Sequence, residues 1–339
     1  MSQEDLKHTI DQIALKGKGI LAADESTKTA TRRLEGVGVA STEESRRQYR
    51  ELLFSAPDAG KYLAGVILYE ETLMQNASDG TPFPKFLEKH GILPGIKVDK
   101  GLIKIPFTED EEVTQGLDGL PERLAEYKKL GAKFAKWRAV YKITDTLPSP
   151  LAISSNAEVL ARYAAICQVA GIVPIVEPEV LLEGTHTIER CAVVSEAVLK
   201  EVFVALKRNL VDLRYIILKP SMVISGKDCP KKATPEQVAE HTLNILKKTV
   251  SDVVPTVNFL SGGQTPEQAT LHLQLMNVHP MPWNLSFSYA RALQDPTMNA
   301  WAGKKENVKT AQDIFSRRLK LNSLASQGKY DQGMEQVHS

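Results

Sequence analysis

Cysteine is nearly missing from this chain: Cys167, Cys191 and Cys229 are its only three among 339 residues. They are odd in number and far apart, which argues against a disulfide framework or a cysteine metal site and fits the reduced thiols of a cytosolic protein. An excess of either charge is missing too, since 42 Lys and Arg stand against 41 Asp and Glu for a formal net charge of +1. That balance gives no global attraction to nucleic acid or to a membrane surface, so neither is expected as a partner, and an anionic small ligand needs a local basic cluster. Residues 1–18 lack the apolar centre of a signal peptide and the acid-poor composition of a transit peptide, so a cytoplasmic location is expected. The seven histidines, His8, His90, His186, His241, His272, His279 and His338, show no close ligand spacing, and neither a metal nor a cofactor is expected.

What the chain does have is material for a large core, with 42% hydrophobic and 24% charged residues and no low-complexity linker. Short apolar runs alternate with longer amphipathic stretches. Strands are expected at 19–25, 64–71, 95–100, 134–140, 173–179, 215–221, 256–263 and 284–291. Helical patterns lie between them at 42–56, 120–130, 154–170, 187–207, 234–250, 266–276 and 305–325. Pro235 and Pro266 each follow a threonine, where a first helical turn tolerates proline. Eight strands each followed by a helix predict an α/β fold, a (β/α)8 TIM barrel with catalytic groups at the C-terminal strand ends. One barrel domain over 1–339 is expected, with 1–18 a helical segment and 326–339 a flexible tail.

Five ionisable residues close apolar runs: Asp24, Lys97, Lys136, Glu177 and Lys219. One lysine at a strand end is explained by snorkelling into solvent, whereas five such groups mark an active site. Alternation places Lys136 with Arg138 on one face, Glu177 with Glu179, and Ile217 with Lys219. Ser261-Gly262-Gly263 follows the seventh strand, and Arg291 is expected at the end of the eighth. Loops after those strands often hold phosphate, with small residues admitting an anion to the backbone N–H groups and arginine binding it in bidentate fashion. Gly17-Lys18-Gly19 loosely resembles a dinucleotide loop but precedes a strand, so it is read as a turn. A lysine nucleophile must first lose its proton, which an apolar interior and the neighbouring cations Lys136 and Arg138 favour. Lys219 then attacks a ketone to form an imine, with Glu177 as acid and base, and the imine accepts electrons from the adjacent carbon–carbon bond.

The chain carries the stretches GKGILAADEST (17–27), GIKVDKG (95–101), TQGLDGL (114–120), FAKWR (134–138), GIVPIVEPE (171–179), LKPSM (218–222), FLSGGQ (259–264) and WAGKKEN (301–307). Through them it resembles the class I, Schiff-base-forming fructose-1,6-bisphosphate aldolases of the eukaryotic type, from about Gly17 to Tyr330. The resemblance implies reversible cleavage of fructose 1,6-bisphosphate to dihydroxyacetone phosphate and glyceraldehyde 3-phosphate, in glycolysis and gluconeogenesis, without a metal. It implies that Lys219 is the Schiff-base lysine and that Glu177 is the general acid/base, which also handles the C4 hydroxyl proton. Asp24 and Lys136 would assist carbinolamine formation and bond cleavage, with Glu179 in support. Ser261, Gly262 and Arg291 would hold the C1 phosphate, and Gly263 and Ser288 are counted with the substrate-binding residues. Lys97, Arg138, Ser26 and Thr29 would line the rest of the cleft, the C6 phosphate among its ligands, with Arg33 a further phosphate contact. A homotetramer is implied as well.

Four positions depart from the family pattern: Lys28 and Ala290 replace glycine, Thr29 replaces serine and Ser221 replaces asparagine. Alanine at 290 keeps its N–H but would weaken phosphate binding if the family glycine is left-handed. The family ends in a mobile tail with a terminal tyrosine that assists proton exchange at the enamine carbon, whereas this sequence ends Val337-His338-Ser339. Tyr330 matches an earlier tyrosine, so either a tail has been lost or release of the ketose-phosphate half is slow. Three rival readings are weaker. A metal-dependent aldolase needs a histidine cluster, and another Schiff-base barrel enzyme would share the lysine without these motifs. A non-catalytic binding module, such as a cytoskeletal adaptor using a basic cleft on an acidic peptide, would have no need of Lys219, Glu177 and Asp24.

Overall fold

The computed structural model describes residues 3–336; Met1 and Ser2 of the expected N-terminal segment and Val337, His338 and Ser339 of the expected tail lie outside the described residues. The strands run β1 (Gly19–Ala23), β2 (Leu63–Leu68), β3 (Leu93–Lys97), β4 (Leu102–Lys104), β5 (Glu112–Thr114), β6 (Phe134–Tyr141), β7 (Val173–Val180), β8 (Ile217–Leu218), β9 (Thr256–Phe259) and β10 (Asn284–Tyr289). All except β4 and β5 pair in parallel, in chain order, and β10 returns to β1 to close an eight-stranded barrel. β4 and β5 form a separate antiparallel hairpin in the connection after β3, which the apolar pattern does not announce because each strand is only three residues long.

Alternate residues fill the barrel. Ile20, Ala22, Ile67, Phe134, Val173, Ile175 and Ile217 form one cluster with Leu6, Ile10 and Ile13. The last three belong to the helix Gln3–Ile13, which therefore stoppers the N-terminal end of the barrel. The Phe134 ring fixes its neighbours: a Cβ on Gly95 would lie 2.2 Å from a ring atom, and one on Gly65 would lie 2.8 Å away. Side chains of opposite parity, such as Leu21, Val66, Trp137 and Val176, pack in a second, larger cluster with the surrounding helices. The helices Glu43–Phe54, Pro150–Val169, Ile188–Arg208, Pro235–Thr249 and Pro266–Met276 each begin after a Ser or Thr whose side chain accepts a first-turn amide. The helices Thr27–Glu35, Phe83–Lys89 and Arg291–Trp301 were not marked by the pattern. The last of these contains Pro296, whose missing N–H obscures its helical character in the sequence.

Several expected boundaries move. The strand expected at 215–221 shrinks to Ile217–Leu218, because Leu213–Tyr215 forms a 3-10 turn and Pro220 cannot donate to the ladder. Arg291 does not end a strand but opens the helix Arg291–Trp301. Lys136 and Glu177 do not sit at strand ends either, since β6 and β7 are eight residues each and carry them in their interiors. Of the expected tail 326–339, Ser326 and Tyr330 are buried and Glu335 is half-buried, while Lys329, residues 331–334 and Gln336 are exposed; the Tyr330 amide donates to Gln274 Oε1 at 2.8 Å, and Glu335 pairs with buried Arg318 at 2.7 Å.

Two measurements check this packing. Gly95→Ala drives a methyl group into the Phe134 ring and is expected to destabilise the protein by about 3 kcal/mol in urea unfolding, with Ser55→Ala, on a helix cap outside the barrel, as the control. His272, buried in the helix Pro266–Met276, lies 2.6 Å from Gln264 Oε1 through Nδ1. Burial pushes its pKa down to about 4, against a weaker opposing pull from Glu236. Folded protein then binds fewer protons than unfolded protein between about pH 6.5 and 4, so stability falls as pH drops through that window, by up to about 3 kcal/mol. His272→Gln is expected to flatten the fall in Tm over that window.

Candidate active site

Long strands and their register build the site. β6 pairs with β7 so that Arg138 lies beside Glu177 and Val140 beside Glu179, which sets the inward faces of both strands against each other. β8 stops at Leu218, but the Lys219 amide still donates to the Val176 carbonyl at 2.8 Å and keeps Lys219 in register with β7. Asp24 follows β1 directly, on the parity of Ile20 and Ala22.

These backbones bring four charges together in the barrel. Lys136 Nζ lies 2.6 Å from Asp24 Oδ2 and 3.5 Å from Glu177 Oε2, while Lys219 Nζ lies 3.3 Å from Glu177 Oε1. None of the four side chains is more than 10% exposed. With every group ionised, two ammonium ions balance two carboxylates, which is how a low-dielectric interior tolerates them. Burial by itself would raise the Asp24 pKa, but Lys136, Lys219 and Lys97 overcome it and hold the carboxyl at about 2. Burial likewise disfavours the Lys136 ammonium, and the carboxylates of Asp24, Glu177 and Asp99 outweigh it, holding that lysine well above its ordinary range. Asp24 is therefore a fixed anion and Lys136 a fixed cation at neutral pH.

Around the quartet opens a cavity of about 1170 Å³. It is lined by Asp24, Ser26, Thr29, Arg33, Lys97, Lys136, Arg138, Glu177, Glu179, Lys219, Ser261, Gly262, Ser288 and Arg291, so the sequence-derived residues converge on one volume. Gly263 lies behind that lining, in a left-handed conformation with φ +87°, where a Cβ would stand 3.5 Å from an Arg291 nitrogen. Gly262 is left-handed as well, at φ +53°, so the two adjacent positions both favour glycine. Three of the other residues are occupied by neighbours. Arg138 pairs with Glu179, and burial, which would lower its pKa, is outweighed by that carboxylate. Lys97 Nζ lies 2.5 Å from Asp99 Oδ1. Arg33 pairs with Glu25 and lies 2.8 Å from Asp295 and 3.3 Å from Gln294 Oε1.

Two helices open on this cavity. The helix Thr27–Glu35 begins after Ser26 and the helix Arg291–Trp301 after Ala290, and no side chain caps either one. Ser26 and Ala290 both line the cavity, so two positive helix ends face it. Ala290 has φ −103°, outside the left-handed region, so alanine there carries none of the steric penalty expected for replacing a left-handed glycine. Ser221 uses its hydroxyl to donate to the Val180 carbonyl at 2.9 Å.

The sequence reading missed Glu25, Asp99, Lys100, Tyr69, Arg32 and Leu260 among the lining residues. Asp99 had a signal, lying two residues beyond Lys97 in GIKVDKG, whereas Tyr69 and Leu260 had none because only the fold turns them inward. A second cavity, about 460 Å³, lies at the N-terminal end of the strands against the helix Gln3–Ile13. Its charges pair with one another, Lys128 with Asp5 at 3.3 Å and Lys133 with Glu88 at 3.3 Å, and it holds no convergent catalytic set.

Comparison with known proteins places the chain in a family. The family model described as fructose-bisphosphate aldolase class-I matches residues 5–339. A spinach protein, "fructose-bisphosphate aldolase, cytoplasmic isozyme", is 54% identical over 332 residues, covering 97% of this chain and 93% of that one. A Chlamydomonas reinhardtii chloroplastic fructose-bisphosphate aldolase is 52% identical over 97% of this chain and 87% of its own, and goldfish fructose-bisphosphate aldolase C is 51% identical over 97% and 91%. Among solved structures, a Plasmodium falciparum fructose-bisphosphate aldolase, in a complex with TRAP and a small-molecule inhibitor, superimposes with a TM-score of 0.95 at 49% identity, covering 97% of this chain and 95% of that one. This chain belongs to the class-I fructose-bisphosphate aldolase family.

Proposed function

We propose that this protein cleaves fructose 1,6-bisphosphate reversibly to dihydroxyacetone phosphate and glyceraldehyde 3-phosphate, the glycolytic aldol reaction, through an imine on Lys219. The observation that carries the reading is the position of Lys219 Nζ, 3.3 Å from Glu177 Oε1 in a buried quartet of balanced charge. Family membership supplies the reaction, and the quartet supplies groups for each step.

Glu177 takes a proton from the Lys219 ammonium, and the free amine adds to the C2 ketone to give a carbinolamine. Glu177 returns its proton to the departing hydroxyl, water leaves, and a cationic imine remains. Glu177 next accepts the C4 hydroxyl proton. The C3–C4 bond breaks, its electron pair passes to the imine as an enamine, and the C4 half leaves as the aldehyde. Protonation at C3 and hydrolysis of the imine release the ketone and restore the lysine. Lys136, held as a cation by Asp24 and Glu177, supports oxyanions at the reacting carbons. Glu177 Oε2 and Ser288 Oγ are buried without a hydrogen-bond partner among the described residues, and hydroxyls of a sugar chain would satisfy them. No step requires a metal.

Phosphate binding is assigned to the two helix ends. Ser261, Gly262, Gly263 and Arg291 would take the C1 phosphate, with Gly263 shaping the loop behind the lining. Ser26, Thr29 and Lys97 would serve the C6 side; Arg138 and Glu179 border the chain between, and Arg33 holds the wall. A homotetramer in the cytoplasm is carried over from the family resemblance and from the name of the spinach relative.

Incubation with fructose 1,6-bisphosphate and borohydride, with excess EDTA throughout, is expected to release triose phosphate and leave an irreversible label on the peptide holding Lys219. An inactive, unlabelled protein would overturn the reading and favour a non-catalytic cytoskeletal adaptor. Lys219→Arg is expected to abolish the label and reduce kcat at least about a thousandfold. Glu177→Gln is expected to lower kcat about 10²- to 10⁴-fold with the fold intact by circular dichroism.

A further inference from the structure

We infer that Lys28 is a specificity-determining residue of this chain that strengthens binding of the substrate's second phosphate and so favours bisphosphates over monophosphates. The inference rests on the aldolase reading above and goes beyond it. Lys28 is the second residue of the helix Thr27–Glu35. Three features make a cation costly there. The first turn of that helix carries no acidic residue, so the positive helix end meets a positive side chain. Arg32 lies four residues on, on the same helix face, and like charges at that spacing repel. Neither Lys28 nor Arg32 forms an ion pair within 4 Å among the described residues, although the neighbouring Arg33 is held by Glu25 and Asp295.

Both side chains are exposed and both line the large cavity, beside the hydroxyls of Ser26 and Thr29, which lie 3.4 Å apart. The helices Glu43–Phe54, Leu120–Lys129, Ile188–Arg208, Pro235–Thr249 and Pro266–Met276 all place glutamate in the first turn. An anion at the start of the helix Thr27–Glu35 relieves all three unfavourable terms at once. The second phosphate of the substrate is such an anion, because the loop at Ser261 and the Arg291 helix are placed to hold the first.

The test compares wild type, Lys28→Gly and Lys28→Gln with fructose 1,6-bisphosphate and fructose 1-phosphate. The ratio of kcat/KM for the bisphosphate to that for the monophosphate is expected to fall about three- to tenfold in both variants, mainly through KM, and the fall should vanish in about 0.5 M salt. Lys28→Gln keeps helix propensity, so a loss confined to Lys28→Gly, or an equal change for both substrates, overturns the inference. Calorimetry with 1,6-hexanediol bisphosphate and hexyl phosphate reads the same contact without catalysis. A wild type that cleaves neither sugar yet loses bisphosphate affinity on Lys28→Gln would sink the aldolase reading and leave the Lys28 assignment standing. Active wild type with unchanged bisphosphate affinity in that variant would sink the assignment alone.

Discussion

The chain of ion pairs from Asp24 through Lys136 and Glu177 to Lys219 is the constraint on which the site depends. A lone ammonium ion inside a barrel would be expelled or neutralised, and a lone carboxylate likewise, because the interior replaces little of their hydration. In this arrangement each charge is tolerated by its neighbours. Residues on β6, β7 and the ends of β1 and β8 must therefore hold one register together, and a slip of one position would turn a charged side chain into the helix layer. The apolar plug below, built from Phe134, Ile175, Ile217 and the helix Gln3–Ile13, excludes water from the opposite end and keeps those charges strong.

A second network, behind the first, fixes the mouth. Glu25 accepts from Arg33, from Arg50 at 2.7 Å and from Gln294 Nε2 at 2.9 Å, and Gln294 also donates to the Ala22 carbonyl at 2.6 Å. The end of β1, the helix carrying Ser26 and the helix carrying Arg291 are thereby tied to one buried carboxylate. Arg33 bridges on to Asp295 in the latter helix. The two positive helix ends that face the cavity are thus held at a fixed separation, which suits a ligand with an anion at each end.

Much of this was legible in one dimension. Lys219 closing an apolar run before Pro220, and the common parity of Glu177 with Glu179, marked inward-facing charge without any coordinates. The capped helices were also legible, since Thr before Pro-Glu is a local signal that tertiary context did not override. Arg291 was legible as a residue and misplaced as an element, because the helix it opens contains Pro296 and is preceded by alanine in place of a capping side chain. Arg33 was legible as a cavity residue from the motif, while its pairing with Glu25 and Asp295, 8 and 262 residues away, was not.

By itself, then, the sequence determined the alternation of strand and helix, the family, and the identity of the charged groups, because period, capping and motif spacing are local properties of the chain. The tertiary structure alone decided which carboxylate neutralises which lysine, that Arg33 pairs with Glu25 and Asp295 while Lys28 and Arg32 form no ion pair among the described residues, and that Ala290 sits outside the left-handed region. Those are consequences of burial and of contacts between distant segments, and they exist only once the barrel has closed.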